Sequence, residues 1–195
     1  LIRKIEAIKP DIIHLHNIHG YYINYKLLFE YLNSIDTPIV WTLHDCWSFT
    51  GHCAHFVEAG CNKWQHGCGN CELLARYPIA LMDNSRANHR IKQRLFTKAN
   101  VTIVPVSNWL SDFVKDSFLS RKHRVVIHNG VNIDTFRPID TLTDSKKNLI
   151  GISSVWDNSK GLSDFYKLRL KLPISTYNIT LIGLTKVQID NLPDG

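Results

Sequence analysis

The sequence predicts an α/β fold built on a parallel sheet, and three observations support that class. Apolar runs bounded by turn residues alternate along the chain with segments of helical periodicity, the order taken by strands and crossover helices in such a sheet. Polar, chemistry-bearing residues recur at the carboxyl ends of the predicted strands, where parallel sheets place their ligands. The 195 residues are 44% hydrophobic and 21% charged, a composition that supports a buried core and excludes collagen-like and low-complexity classes. That length holds one ordinary domain or parts of two.

Residues 1–8 form an opening helix that Pro10 stops, and 11–16 read as a buried strand. Asn17-Ile18-His19-Gly20 is a loop, and 21–32 a helix in which Leu27, Leu28, Tyr31 and Leu32 recur at helical spacing. The next strand is 39–44. From 46 to 78 the periodicity breaks in a segment rich in Gly, His, Cys and Trp, a long functional loop or a small stapled subdomain. A polar helix over 85–99, a strand over 101–106 and a helix over 109–118, capped by Ser107 or Asn108, restore regular structure. A short fourth strand, 124–128, ends in the turn Asn129-Gly130-Val131. Polar residues after Pro138 mark a linker at 139–148. Beyond it come a strand from Leu149, a helix opened by Lys160-Gly161-Leu162, and a strand from Tyr177. The chain starts inside a helix without an initiator methionine and stops as another helix begins, so it reads as an internal fragment of a longer protein.

No apolar run approaches the ~20 residues of a membrane helix. With 23 Lys+Arg against 17 Asp+Glu the net charge is +6, which suits a nucleic acid, an anionic membrane surface or a phosphate-bearing ligand. The cations are spread out, and the denser groups, 86–98 and Arg121-Lys122-His123-Arg124, lack the interleaved aromatics of base stacking. Nucleic acid is therefore not the expected partner.

His14, His16, Asn17 and His19 follow the first strand, His44 and Asp45 the second, Ser107 and Asn108 the third, and His128, Asn129 and Gly130 the fourth. A single strand-end histidine is usually a satisfied structural group. Four coincident strand ends point to a site. Asn129-Gly130 alone also reads as a tight turn, and Lys160 alone as a solvated lysine in a first helical turn.

Cys46, Cys53, Cys61, Cys68 and Cys71 all fall in the irregular segment, the last two as C-x-x-C. In a reducing compartment such clustering points to metal more often than to disulfides. Cys53, Cys61, Cys68 and Cys71 would complete a tetrahedral, structural zinc set with no open position. The wide Cys53–Cys61 spacing leaves reduced structural thiols or two disulfides as the other readings, with His52 and His66 as substitute ligands. Trp47, Phe49, Phe56 and Trp64 are expected to form a mini-core of this segment.

The string from Val126 to Pro138, Val-Ile-His-Asn-Gly-Val-Asn-Ile-Asp-Thr-Phe-Arg-Pro, resembles the hinge motif of family 4 glycosyltransferases of the GT-B fold. Four other segments resemble that family in order. Asp11-Ile12-Ile13-His14-Leu15-His16 is similar to its D-hydrophobic-HxH strand, and Thr42-Leu43-His44-Asp45 to its T-hydrophobic-H-D strand. Val106-Ser107-Asn108-Trp109-Leu110 is similar to its third strand-to-helix junction, and Lys160-Gly161-Leu162 to its phosphate-binding Lys-Gly element, with Ser159 where relatives carry an Arg. The subset most alike is the bacterial surface-polysaccharide enzymes with a Cys-rich insertion, here 46–78.

The resemblance implies that 1–138 is the N-terminal, acceptor-side Rossmann-like domain and 149–195 the truncated start of the Rossmann-like domain that binds the nucleotide sugar. It implies retaining transfer from a nucleotide-diphosphate sugar to a polysaccharide or lipid-linked oligosaccharide acceptor. His44 would face the transferred sugar, with Asp45 orienting its ring or shaping the loop. Asn129, Gly130 and Lys160 would bind the donor, and His16, Asn17, His19, Gly20 and Ser107 the acceptor. A helix N-terminus and a lysine stabilise a leaving diphosphate by themselves, so no catalytic metal is expected. The family's paired-glutamate motif lies beyond Gly195, and the fragment alone is expected to be inactive. The location implied is cytoplasmic, with anionic lipid of the inner membrane face as a partner for the basic surface. Two other readings are a non-catalytic zinc-stapled glycan- or partner-binding module and a GT-B nucleotide-sugar epimerase. The latter needs carboxylates near His44, and Asp45 is the one candidate.

Overall fold

A computed structural model describes residues 1–138, 146–157 and 160–192. The chain divides into two compact units, 1–131 and 132–195. Among the described residues no helix is long and apolar enough to cross a membrane.

The first unit contains α1 (Ile2–Ile8), β1 (Ile13–Leu15), α2 (Tyr25–Leu32), β2 (Ile39–Leu43), α3 (Ser85–Lys98), β3 (Val101–Pro105) and α4 (Asn108–Lys115). Its strands form a parallel sheet in the order β1-β2-β3, the Rossmann-like arrangement expected. Ile13 pairs with Ile39 and Leu15 with Trp41, while Ile39 pairs with Val101 and Leu43 with Pro105. β1 ends opposite Trp41, two residues before the paired ends of β2 and β3, and His16, His44 and Val106 follow the three strands at the same edge of the sheet. Ile13, Leu15, Ile39, Trp41, Leu43 and Ile103 are buried. Rings from three elements meet beneath the sheet: Phe29 lies 4.2 Å from Phe96, and Trp41 5.0 Å from Phe96, centroid to centroid. Each such buried aromatic contributes roughly 2–3 kcal/mol.

Three expectations are corrected here. The second helix begins at Tyr25 rather than Tyr21, because Asn24 caps it by accepting hydrogen bonds from the amides of Lys26 and Leu27, and Gly20 and Tyr21 take positive φ. Its buried face is Leu28, Phe29 and Leu32, leaving Leu27 exposed. The predicted fourth strand is reduced to one parallel bridge, Ile103 with Arg124. Residues 123–127 still run beside β3, with the amide of Val125 donating to Ile103 O and that of Ile127 to Pro105 O. Val125 and Ile127 remain exposed there, so side-chain packing adds little to the pairing. The expected mini-core is not separate: Trp47, Phe49, Phe56 and Trp64 belong to the same buried cluster as the sheet. Trp47 packs edge-on against Tyr25 at 5.3 Å, and Phe56 and Trp64 meet Phe113 of α4 at 5.1 and 5.7 Å.

The second unit is a parallel strand–helix–strand pair, β4 (Lys147–Ile152), α5 (Leu162–Lys171) and β5 (Tyr177–Ile182), followed by α6 (Lys186–Asp190). Thr185 and Gln188 cap α6 reciprocally. Trp156 is buried against Phe165 at 5.6 Å, and its indole N–H donates to Ile182 O at 2.9 Å. A side chain at Gly151 would collide with Phe165, Leu181 and Trp156, so glycine lets the helix approach the strand. Of the predicted linker, 139–145 lie outside the described residues, and Lys147 and Asn148 belong to β4.

Candidate functional site

The carboxyl ends of β1 and β2 carry the densest group of polar side chains in the first unit. Because both strands are parallel and in register, His14, His16, His44 and Asp45 share one edge of the sheet. Trp41 fixes the backbone there: its ring is buried in the core, and its Nε1 donates to His16 O at 3.0 Å. His14 Nε2 stands 2.8 Å from Thr42 Oγ1, and His16 Nδ1 stands 3.1 Å from His44 Nε2 with the rings stacked. In the His16–His44 bond one nitrogen donates and the other accepts. The bond therefore exists only while one of the two facing nitrogens is unprotonated.

Asp45 is held by two partners. Its Oδ2 lies 2.8 Å from His19 Nε2, with both side chains largely buried, and its Oδ1 accepts the Trp47 amide at 2.9 Å. Burial by itself would raise the Asp45 pKa, but the His19 hydrogen bond and the Trp47 amide outweigh it and hold the carboxyl below its ordinary value. The other ring nitrogen of His19 meets the Tyr77 hydroxyl at 3.2 Å. Asp45 thus ties the end of β2 to the loop after β1. The ring it orients is that of His19 and not that of His44.

Lys92 of α3 supports the same loop from below. It is 1% exposed, and its Nζ donates to Trp47 O at 2.6 Å and Thr50 O at 3.0 Å while sitting 3.3 Å over the Trp47 ring. Burial drives its pKa well below the usual lysine value, and Cys68, Cys53 and Asp45 act in the opposite direction.

Two concavities open on these groups. A narrow crevice is lined by His16, Asn17, His19, Thr42, His44 and Asp45. Beside it, sharing Ile18, His19 and Trp47, a cavity of about 250 Å³ is lined by Gly20, Tyr21, Tyr25, Asn88 and Lys92. Gly20 has φ +96, and a side chain there would press on the Tyr77 hydroxyl.

Ser107 caps α4, accepting from the Leu110 amide at 3.2 Å. Asn129 and Gly130 are exposed. Gly130 does not take a positive φ, and a side chain there would meet nothing within 4 Å, so tight-turn geometry does not account for it. His128 next to them points its Nδ1 at Val106 O, 3.1 Å away. In the second unit Lys160 is exposed, and Gly161 takes φ +74 as the residue before α5.

Sequence reasoning missed Tyr77 and Lys92. Nothing in the sequence marks Tyr77. Lys92 carried a signal: Ser85, His89, Lys92 and Phe96 fall on one helical face, and all four are buried.

The sequence model of Glycosyltransferase Family 4 matches residues 1–135. The chain belongs to that family. It is also 31% identical, over 134 residues, to a protein of Escherichia coli (strain K12) named as a colanic acid biosynthesis glycosyl transferase, WcaC; the match covers 65% of this chain and 32% of that protein. The chain therefore spans about a third of that relative's length. The family 4 segment contains the whole His–Asp group, Ser107, Asn129 and Gly130, whereas Lys160 lies beyond it.

Proposed function

We propose that the protein to which this chain belongs is a retaining GT-B glycosyltransferase. It would move a sugar from a nucleotide-diphosphate donor to a polysaccharide or lipid-linked oligosaccharide acceptor in surface or capsular polysaccharide synthesis. One observation carries the reading: in a family 4 chain, His16, His44, His19 and Asp45 converge on one crevice at the strand ends.

On this reading the chain's groups divide the work. His44, paired with His16 through its Nε2, faces the transferred sugar and offers its other ring nitrogen to a hydroxyl. His19, fixed by Asp45, Tyr77 and the Trp47 ring at 5.3 Å, borders the larger cavity, where the acceptor binds over Tyr21 and Trp47. Asn17, Gly20 and Ser107 complete the acceptor side. Asn129, Gly130 and Lys160 serve the donor: the Lys160 ammonium and the N-terminal end of α5, which no side chain caps, suit a leaving diphosphate. Transfer to a growing glycan places the protein in the cytoplasm, with its net positive charge favouring the anionic inner membrane face.

Titration calorimetry of the full-length protein with nucleotide-diphosphate sugars tests this. Binding is expected, weakened at least tenfold by Lys160→Ala, with sugar transfer reduced by about a hundredfold in His44→Ala. Failure to bind any nucleotide diphosphate or its sugar overturns the reading.

A further inference from the structure

The segment 46–78 surrounds a small cavity of about 20 Å³ that the proposed transfer chemistry does not use. Four of the five cysteines line it, Cys53, Cys61, Cys68 and Cys71, and all four are free thiols. The fifth, Cys46, is absent from its wall. Cys46 is buried in the core, where its amide donates to Ala54 O and burial pushes the thiol up to about 12. The structure therefore selects, out of five, one set of four.

The four thiols act on one another. Cys53 is within electrostatic range of Cys61, Cys68 and Cys71, Cys68 is within range of Cys61 and Cys71, and Cys71 of Cys61. Cations already flank the set. Lys63 is within range of Cys61 and Cys71, and the fully buried Lys92 within range of Cys53 and Cys68.

The backbone is also arranged around sulfur. The Gly51 amide donates to Cys68 Sγ at 3.2 Å, as amides do to metal-bound thiolates. Any side chain at residue 51 would overlap Ser85 O and press on Cys68 Cβ. The Cys68–Cys71 turn passes through Gly69 at φ +151 and Asn70 at φ +49, and Asp83 Oδ2 anchors it by accepting the Cys71 amide at 2.9 Å. Among the described residues no group of three or more His, Cys, Asp or Glu is set to hold an ion as it stands. The four sulfur-bearing side chains line one cavity, and holding an ion between them requires them to draw closer together.

We propose that Cys53, Cys61, Cys68 and Cys71 bind one Zn²⁺ in a structural tetrathiolate site. The soft donor set selects zinc over harder divalent ions, and four ligands leave no position for a substrate. On binding, four S–H bonds break and four Zn–S bonds form: the four thiols give up four protons to solvent and no redox partner is needed. The ion then fastens 46–78, the segment that carries Trp47 and Tyr77 to His19.

The test is metal analysis by mass spectrometry of the full-length protein, combined with thiol counting under denaturing conditions. One zinc per chain is expected, released when a mercurial blocks the thiols. Cys46→Ser should keep it, and Cys68→Ser and Cys71→Ser should lose it. Should those variants fail to fold, Co²⁺ exchanged into the unaltered protein must give the strong visible absorption of a tetrahedral cobalt thiolate. A protein free of zinc whose thiols all titrate, a protein whose four cysteines are lost to disulfides, or zinc retained in Cys68→Ser or Cys71→Ser overturns the proposal.

Discussion

Asp45 Oδ2 lies 2.8 Å from His19 Nε2, and this contact ties the carboxyl end of β2 to the loop after β1. Each group is held by a second bond, Asp45 by the Trp47 amide and His19 by Tyr77. The pair is thus the node at which both strand ends and the cysteine-bearing segment meet.

Asp45→Asn is expected to lower the unfolding free energy at pH 7 by about 1–3 kcal/mol, the cost of weakening a buried charged hydrogen bond. The Asp45 carboxyl lies below its ordinary value of 3.8 in the folded state: burial pushes it up, and the His19 and Trp47 bonds more than offset this. A depressed carboxyl contributes stability above the unfolded value and loses it as pH falls through the folded one. The difference between the two proteins in urea unfolding should therefore be full at pH 7 and shrink below pH 3.8. Equal stability at pH 7 would count against the pair.

His16 and His44 share a hydrogen bond, so their substitutions should not act independently. In the full-length enzyme His44→Ala is expected to slow sugar transfer about a hundredfold. The double variant should be less impaired than the product of the singles, with a coupling of at least about 0.5 kcal/mol. Strict additivity in kcat/KM would show that the bond has no part in function.

Lys92→Ala leaves the carbonyls of Trp47 and Thr50 without their donor and opens a cavity under the loop. A loss of about 3 kcal/mol is expected. Lys92→Met restores the volume but not the bonds, and should be intermediate. A methionine variant as stable as the parent in denaturant titration would mean that the two bonds contribute nothing net.

His89 is buried on α3 and its Nε2–H donates to Trp64 O at 2.8 Å. Burial lowers its pKa below 6.5, only partly offset by the Trp64 bond, and burial lowers His52 likewise. A histidine depressed in the folded state gives its full contribution above 6.5, which is lost as pH falls through the folded value. Tm should fall on acidification from pH 7 to pH 5, and His89→Gln, which keeps a donor, should flatten part of that slope. An unchanged slope in calorimetry would remove His89 as a cause.

How far the sequence reaches can be followed residue by residue. The run Ile39 to Leu43 and the run Val101 to Pro105 are strands in the structure because alternating apolar side chains face the core, a local pattern visible without coordinates. Ser107 was legible as a cap for the same reason. The start of α2 was not, because Asn24 competes with an apparently continuous helical stretch by bonding its own neighbours' amides. Residues 124–128 carry the side chains of a strand, but their pairing depends on an edge of β3 that no local pattern reveals.

By itself the sequence determined the α/β class, the strand ends at which polar residues gather, the membership in Glycosyltransferase Family 4 and the grouping of the cysteines. Periodicity and motif order are properties of neighbouring residues, so the linear chain contains them. Tertiary structure decided the partners. Asp45 could have served His44 beside it, yet pairs with His19, while His44 bonds His16 from 28 residues away. It also placed Lys92, which composition counts as one more surface charge, beneath Trp47 in the core. Such choices rest on the directions of rings and carbonyls brought together by sheet register and burial, and those directions are set only when the chain has folded.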